Sequence, residues 1–443
     1  MDKPSIYETK VLLCNPLSIE FTPESSLNGT PPSIADPATV SALQTASQIL
    51  QSSSLVVFPT ETVYGLAANA LSPSATAAIF TTKGRPQDNP LIVHISSQSM
   101  LSQLVSPTFV MPHSYEVLMR TFWPGALTLL FPSSTDVPST VTAGLNTVAI
   151  RMPSHPVARA LIALSGLPLA APSANTSGRP SPTRAIHVKN DLDGKVQLIL
   201  DGGECDVGVE STVVDGLGPD GHLRVLRPGG VTVEDLKRVL DGVIVHGEPI
   251  KVLVHRKDYV DEEVEKQPTT PGMKYRHYSP TCPVYLLMDG SSKEATTPLA
   301  TIDALLEEVL VELSNGRERD IKDKIQIGLL SLTNSALTRT LLRKTFIIKP
   351  PTATGTSPPP PQGIQIEWIP HELGIITYED GAEGTYDLAE PARRLFDGLI
   401  SLDGKGVDLI FVEGVMEERE GLAVMNRVRK AAGRVCWLRV DAE

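Results

Sequence analysis

The chain has 443 residues, with 39 Lys+Arg against 51 Asp+Glu and a net charge of −12. That length suits two or three domains, and no apolar run reaches the roughly 18–20 residues that a membrane span needs. The acidic balance argues against tight, sequence-independent nucleic-acid binding, which depends on cation–phosphate neutralisation. The charge is uneven: 11 Lys+Arg against 12 Asp+Glu lie between Ser54 and Gly230, a net −1 that leaves −11 for the rest. A cationic nucleotide cleft inside a balanced first region is therefore compatible with an acidic whole.

Residues 1–33 are rich in Ser, Thr and Pro and read as a loose segment, with room for a short strand over 11–13. Asp2, Lys3 and Glu8 precede that short apolar run, a pattern of neither a signal nor a transit peptide. A cytoplasmic location is expected, with a minor mitochondrial pool left open. Cys14, Cys205, Cys282 and Cys436 are far apart and form no Cys-x-x-Cys pair. They read as reduced structural thiols. No two histidines stand four apart, so a dedicated zinc site is not expected.

A first α/β domain is expected over 34–245. Asp36-Pro37 reads as an N-cap with proline at the first helical position. Residues 55–58 then form a buried strand that Pro59 stops. Residues 73–82 read as a helix and 91–95 as a strand. A helix over 113–122 and strands over 126–131 and 147–150 follow. Next come a helix over 157–164 and a strand over 167–171. Strands over 196–200, 211–214 and 223–226 and a helix over 231–240 close the domain. Residues 246–283 read as a linker. Residues 284–443 form a second, smaller domain. Its parallel strands are expected at 327–332, 373–377 and 409–412, and its helices at 299–313, 388–402 and 422–432. That alternation suggests a doubly wound fold. Within it, residues 349–361 include four consecutive prolines and read as a surface insertion.

The chemistry concentrates just past the first strand. Pro59-Thr60-Glu61-Thr62-Val63-Tyr64-Gly65-Leu66 places two hydroxyls, a carboxylate and a phenol at a strand's carboxyl end, where open α/β sheets bind ligands. Lys83-Gly84-Arg85-Pro86 sets two cations on a stiff turn suited to phosphate oxygens. Asn89-Pro90-Leu91-Ile92-Val93-His94 follows. Taken singly, these blocks read as a polar turn, a solvated basic corner and a satisfied core histidine; together they point to a site. Neither a Gly-x-Gly-x-x-Gly fingerprint nor a P-loop occurs in this region, so a nucleotide must be held by another device.

Three more blocks complete a pattern: Pro172-Ser173-Ala174-Asn175-Thr176-Ser177-Gly178, Glu210-Ser211-Thr212-Val213-Val214-Asp215 and Arg227-Pro228-Gly229. With the long segment Pro271-Gly272-Met273-Lys274-Tyr275-Arg276-His277-Tyr278-Ser279-Pro280, the chain resembles the YrdC-like family in its two-domain threonylcarbamoyl-AMP synthase branch. The resemblance implies a mixed, twisted YrdC-like sheet followed by a Rossmann-like domain. It also implies the activity: L-threonine, bicarbonate and ATP give threonylcarbamoyl-AMP and pyrophosphate, for modification of the adenosine next to the tRNA anticodon. Mg2+ would accompany ATP. The product would pass to a separate tRNA threonylcarbamoyl-transferase complex, with little direct nucleic-acid binding and no membrane association.

The resemblance assigns residues as well. Lys83 and Arg85 would be catalytic. Thr62, His94, Arg151, Ser173 and Ser211 would line a threonine pocket. Lys83, Arg85, Asn89, Thr147, Asn175, Thr183 and Arg227 would hold ATP. Tyr275, His277 and Tyr278 would belong to a lid formed by the linker. Glu413-Gly414 and the block from Gly421 to Arg427 resemble the family's C-terminal signature, whose role residue chemistry does not reveal. A non-catalytic RNA-binding module is the competing class, and the acidic balance and lack of basic–aromatic interleaving oppose it. A hydrogenase-maturation carbamoyltransferase would add acylphosphatase and zinc-finger segments, which this sequence lacks.

Overall fold

Asp36 accepts hydrogen bonds from the amides of Ala38 and Thr39, and Pro37 opens the helix Pro37–Gln51, as the sequence predicts. The computed structural model describes residues 8–255, 258, 277–290, 299–315, 324–348, 363–378 and 384–439. Two compact units result, Met1–His277 with Glu418–Ala423, and Tyr278–Glu417 with Val424–Glu443.

The first unit is built on an eleven-stranded mixed sheet. Its order is Lys10–Leu13, Leu198–Asp201, Val56–Phe58, Gly65–Asn69, Leu169–Ala170, Ile92–His94, Thr147–Arg151, Leu127–Pro132, Thr212–Asp215, Leu223–Arg227 and Val252–Val254. The strands nearest the centre are apolar on both faces because helices cover both. The helices Pro37–Gln51 and Pro156–Ser165 pack on one face through Leu43, Ala46, Leu50, Val157 and Leu161. The helices Pro73–Lys83 and His113–Phe122 contribute Ile79, Phe80, Tyr115 and Leu118 to the core on the other.

Two expectations are corrected here. Residues 8–33 are not loose. Lys10–Leu13 pairs in parallel with Leu198–Asp201. Thr9 anchors it, donating to Val196 O at 2.7 Å and accepting from Gly194 N at 2.8 Å. Arg159 donates to Ser25 and Ser26 and stacks over Phe21. Polar composition suggested disorder, but these polar groups are structural partners. Secondly, the linker expected from 246 starts later, because Val252–Val254 joins the sheet beside Leu223–Val225. Gly65 begins a strand paired with Phe58, so 59–64 form a hairpin loop at the strand end where the sequence places the first motif. The helix Ala185–Leu192 had no counterpart in the sequence reading.

Among the described residues the second unit carries six strands in the order Phe346–Ile348, Gly363–Ile375, Lys324–Thr333, Leu409–Glu413, Val284–Asp289 and Arg434–Leu438. All neighbours are parallel except the first pair. The helices Ile302–Asn315, Ala336–Arg343 and Ala389–Gly404 separate them, and the doubly wound expectation holds. The proline-rich insertion, residues 349–361, lies outside the described residues. Tyr278, expected in a lid, is instead 1% exposed and packs on Phe396 with ring centroids 5.2 Å apart. It belongs to the core of the second unit. Tyr275 lies outside the described residues, and His277 is half-buried.

Glu413 ends a central strand of this unit and is buried. Its carboxylate accepts from Leu332 N at 2.8 Å and Thr338 Oγ1 at 3.1 Å. Burial outweighs these bonds and pushes its pKa up to about 7. The folded chain thus keeps this proton to about pH 7, while the unfolded chain loses it near 4.5. Stability from this group is greatest at or below pH 4.5 and falls as pH rises to 7. Glu413→Gln removes this titration. Chemical denaturation at pH 5 and pH 8 is expected to show the wild type losing about 3 kcal/mol more than Glu413→Gln over that interval.

Candidate functional site

The 59–64 hairpin loop is held by its own first hydroxyl. Thr60 Oγ1 donates to Val63 O at 2.7 Å and accepts from the amides of Thr62 and Val63 at 3.2 Å. With that proton committed, the Thr62 hydroxyl donates to Thr60 Oγ1 at 2.8 Å. Tyr64 anchors the end of the loop, donating from its phenol to Gly203 O at 2.7 Å. Its amide donates to Pro182 O, and Ala174 N donates to Tyr64 O. The loops after residues 172 and 180 are thereby stitched to the first motif.

Arg151, the last residue of Thr147–Arg151, is the hub. Nη1 donates to Thr62 Oγ1 at 2.7 Å, Nε donates to Gly125 O at 3.1 Å, and Nη2 lies 2.6 Å from Glu61 Oε1. Burial would raise the Glu61 carboxyl, but the Arg151 charge and hydrogen bond hold it below the ordinary range. Sheet register sets His94 directly beside Arg151 on one side and Thr128 on the other. Burial, reinforced by Arg151, lowers the His94 pKa to about 3, so its imidazole is neutral at physiological pH. Thr128 shares a 2.8 Å hydrogen bond with Ser211 Oγ. Arg227 Nη2 donates to Ser211 O at 2.9 Å and Ser211 Oγ at 3.2 Å. Gly229 passes so close to the Glu210–Thr212 backbone that a Cβ there would lie 2.3 Å from Glu210 O. Only glycine permits that approach.

The two cations form a second cluster. The helix Pro73–Lys83 ends at Gly84, whose φ of 61° suits glycine. Lys83 Nζ donates to the carbonyls of Ser173 and Asn175. Burial first, and Arg85 second, depress its pKa. Arg85 donates to Asn89 O at 3.2 Å and Pro90 O at 3.0 Å through Nη2. Asn175 Nδ2 donates to the carbonyls of Thr176 and Arg179. Asp191 fixes the same loop, accepting from Thr176 N at 2.6 Å and Thr176 Oγ1 at 2.7 Å.

The structure brings Thr62, His94, Arg151, Ser211 and Arg227 into one bonded or paired network, and Lys83, Ser173 and Asn175 into another. Gly65 bridges to Ser173 and joins the two regions. Asn89 follows Arg85 on its turn. Thr147 stands at the start of its strand, four residues from Arg151 and so about 13 Å away. Buried Asn89 Oδ1, His94 Nδ1, Asn175 Oδ1 and Thr183 Oγ1 have no hydrogen-bond partner. Each such atom costs roughly 1–3 kcal/mol unless a ligand meets it. Sequence reading missed Glu61, Thr128 and Asp191 as contributors. Glu61 lay in a quoted motif, but nothing local showed which way its carboxylate turns.

A sequence family described as "Telomere recombination" matches residues 48–229, and one described as "Threonylcarbamoyl-AMP synthase, C-terminal domain" matches 231–433. The threonylcarbamoyl-AMP synthase of Schizosaccharomyces pombe is 39% identical over 97% of this chain and 98% of its own. The chain belongs to the threonylcarbamoyl-AMP synthase family. The Bacillus subtilis synthase is also 39% identical, covering 88% of this chain and 92% of its own. A crystal structure of Pyrococcus abyssi Sua5 complexed with L-threonine is 34% identical, with a TM-score of 0.66 over 97% of this chain and 99% of that one.

In this synthase-family chain the Lys83 side chain ties down two backbone carbonyls. Lys83→Ala is expected to lower stability by about 3 kcal/mol through those charge-assisted bonds, besides removing a cation. Urea denaturation of the full chain, with methionine at the same position as an apolar control of similar length, measures the loss.

Proposed function

We propose that this protein is an L-threonylcarbamoyladenylate synthase, a nucleotidyltransferase that joins L-threonine, bicarbonate and ATP. The observation that carries the reading is the buried Arg151 guanidinium beside a neutral His94 and the hydroxyls of Thr62 and Ser211, in a chain whose relatives of nearly equal length carry that name.

The amino-acid carboxylate fits the Arg151 fork. Thr62, His94, Ser173 and Ser211 offer hydrogen bonds to the rest of the amino acid. Lys83, Arg85, Asn89, Thr147, Asn175, Thr183 and Arg227 are assigned to ATP, which enters as its magnesium complex. Threonine's ammonium first loses a proton, and the free amine then takes up bicarbonate to give a carbamate and water. A carbamate oxygen then attacks the α-phosphorus of ATP, and pyrophosphate leaves. The protein supplies no nucleophile. Its contribution is orientation and fixed positive charge, the terms that dominate phosphoryl chemistry. The product would be consumed by a separate tRNA-modifying complex in the cytoplasm. Among the described residues no helix is long and apolar enough to cross a membrane.

Incubation with ATP, L-threonine and bicarbonate is expected to release pyrophosphate and form the AMP adduct, with neither product when threonine or bicarbonate is left out. Serine lacks one methyl and should lower kcat/KM by about 10- to 200-fold. 2-Aminobutyrate lacks the hydroxyl, leaves buried polar partners unpaired and should lower it by about 10⁴-fold. Equal use of the three amino acids would contradict the pocket assignment.

A further inference from the structure

The loop carboxylate Glu61 is left over when the cleft's residues are divided between amino acid and nucleotide. It lies on the hairpin loop next to Thr62, its backbone carbonyl accepts from Val207 N at 2.8 Å, and its Oε1 sits 2.6 Å from Arg151 Nη2. Both residues are buried, at 6% and 3% exposure. Apart from that ion pair and weaker approaches of its own amide and that of Ser154, neither carboxylate oxygen accepts a hydrogen bond of good geometry. The other titratable groups that sense its charge are His94, His155 and Cys205. Burial lowers both imidazoles and raises the thiol, so all three are uncharged at neutral pH.

An isolated buried guanidinium would suit a ligand that is simply an anion. Here the guanidinium already has a buried counterion, and the pair is neutral. A lone carboxylate gains little from a neutral pair and must compete with Glu61 for the same fork. A zwitterion does not face that conflict, because its ammonium and carboxylate sit on one carbon and present opposite charges side by side. We propose that Glu61 receives the α-ammonium of the amino-acid substrate, so that Glu61 and Arg151 form a receptor for a zwitterion. This deepens the reading above and rests on it, since it requires that an α-amino acid occupies the cleft. Glu61 is then a substrate-binding residue that selects for the amine. It also holds that amine close to Arg151, next to the place where the carbamate forms.

Calorimetric titration of the full chain with two ligands tests this. One is L-threonine; the other is the 2,3-dihydroxybutanoate of matching stereochemistry, which carries a hydroxyl in place of the ammonium. Wild type is expected to bind L-threonine the more tightly. Glu61→Gln should weaken L-threonine by about 10- to 100-fold, as for a lost charge-assisted hydrogen bond, and leave the dihydroxy acid within about threefold of its wild-type affinity. Equal weakening of both ligands would overturn the proposal and leave Glu61 as a group that only positions Arg151. Unchanged threonine affinity would overturn it as well. Should Glu61→Gln fail to fold, Glu61→Asp makes the same comparison with the charge kept but withdrawn, and again a loss confined to L-threonine is expected and an equal loss overturns. Wild type that binds neither ligand and forms no AMP adduct would remove the amino-acid assignment itself, an outcome distinct from a wild type that binds threonine through other groups.

Discussion

Taking a guanidinium out of water is costly, and Arg151 has been taken almost wholly out. The fold meets that cost with three acceptors from two places: the Thr62 hydroxyl and Glu61 carboxylate of the hairpin loop, and the carbonyl of Gly125. Each of those loops is therefore fixed by the same side chain. The register that places Arg151 between His94 and Thr128 fixes the neighbouring strand ends too. Thr128 passes the constraint to Ser211, and Ser211 to Arg227. A polar network of this kind is rigid because each partner left unpaired would be expensive in a medium of low polarity.

The two cations of the 83–85 turn obey the same logic by another route. Lys83 and Arg85 could have been two mobile charges on a surface turn. Instead each is buried and spends hydrogen bonds on backbone carbonyls, Lys83 on the 173–175 loop and Arg85 on its own turn. Their positions are thus set by the protein alone, which is the condition under which fixed charge stabilises a transition state without reorganisation. Asp191 secures the far side of the 173–178 loop through Thr176. None of this needs a glycine-rich phosphate loop, in line with the missing fingerprints.

Much of this was legible in the sequence. Strand ends marked by proline, hydroxyls and cations at those ends, and Asp36-Pro37 at a helix start all rest on local rules, and the structure follows them. What failed were judgements that depend on partners far away in sequence. Thr9 looks like part of a polar tail until Val196 and Gly194 stand beside it. Val252–Val254 is too short to signal a strand, and only the free edge of Leu223–Arg227 makes it one. The resemblance assigns Tyr278 to a lid with its aromatic neighbours, yet its ring packs on Phe396 of the second unit. Glu61 is the clearest case. A carboxylate inside a loop says nothing of its direction until the Arg151 strand is placed next to it.

In the proposed function Arg151 receives the substrate carboxylate and takes no part in holding the nucleotide. Parallel calorimetric titrations of L-threonine and of ATP into wild type and Arg151→Lys test that most directly. Lysine keeps the charge but loses the planar fork. The account predicts that threonine affinity falls by about 100-fold, as when a bidentate charge-assisted pair is lost, while ATP affinity stays within about threefold. Unchanged threonine affinity, or an equal loss for both ligands in a variant that still unfolds like wild type, would contradict it.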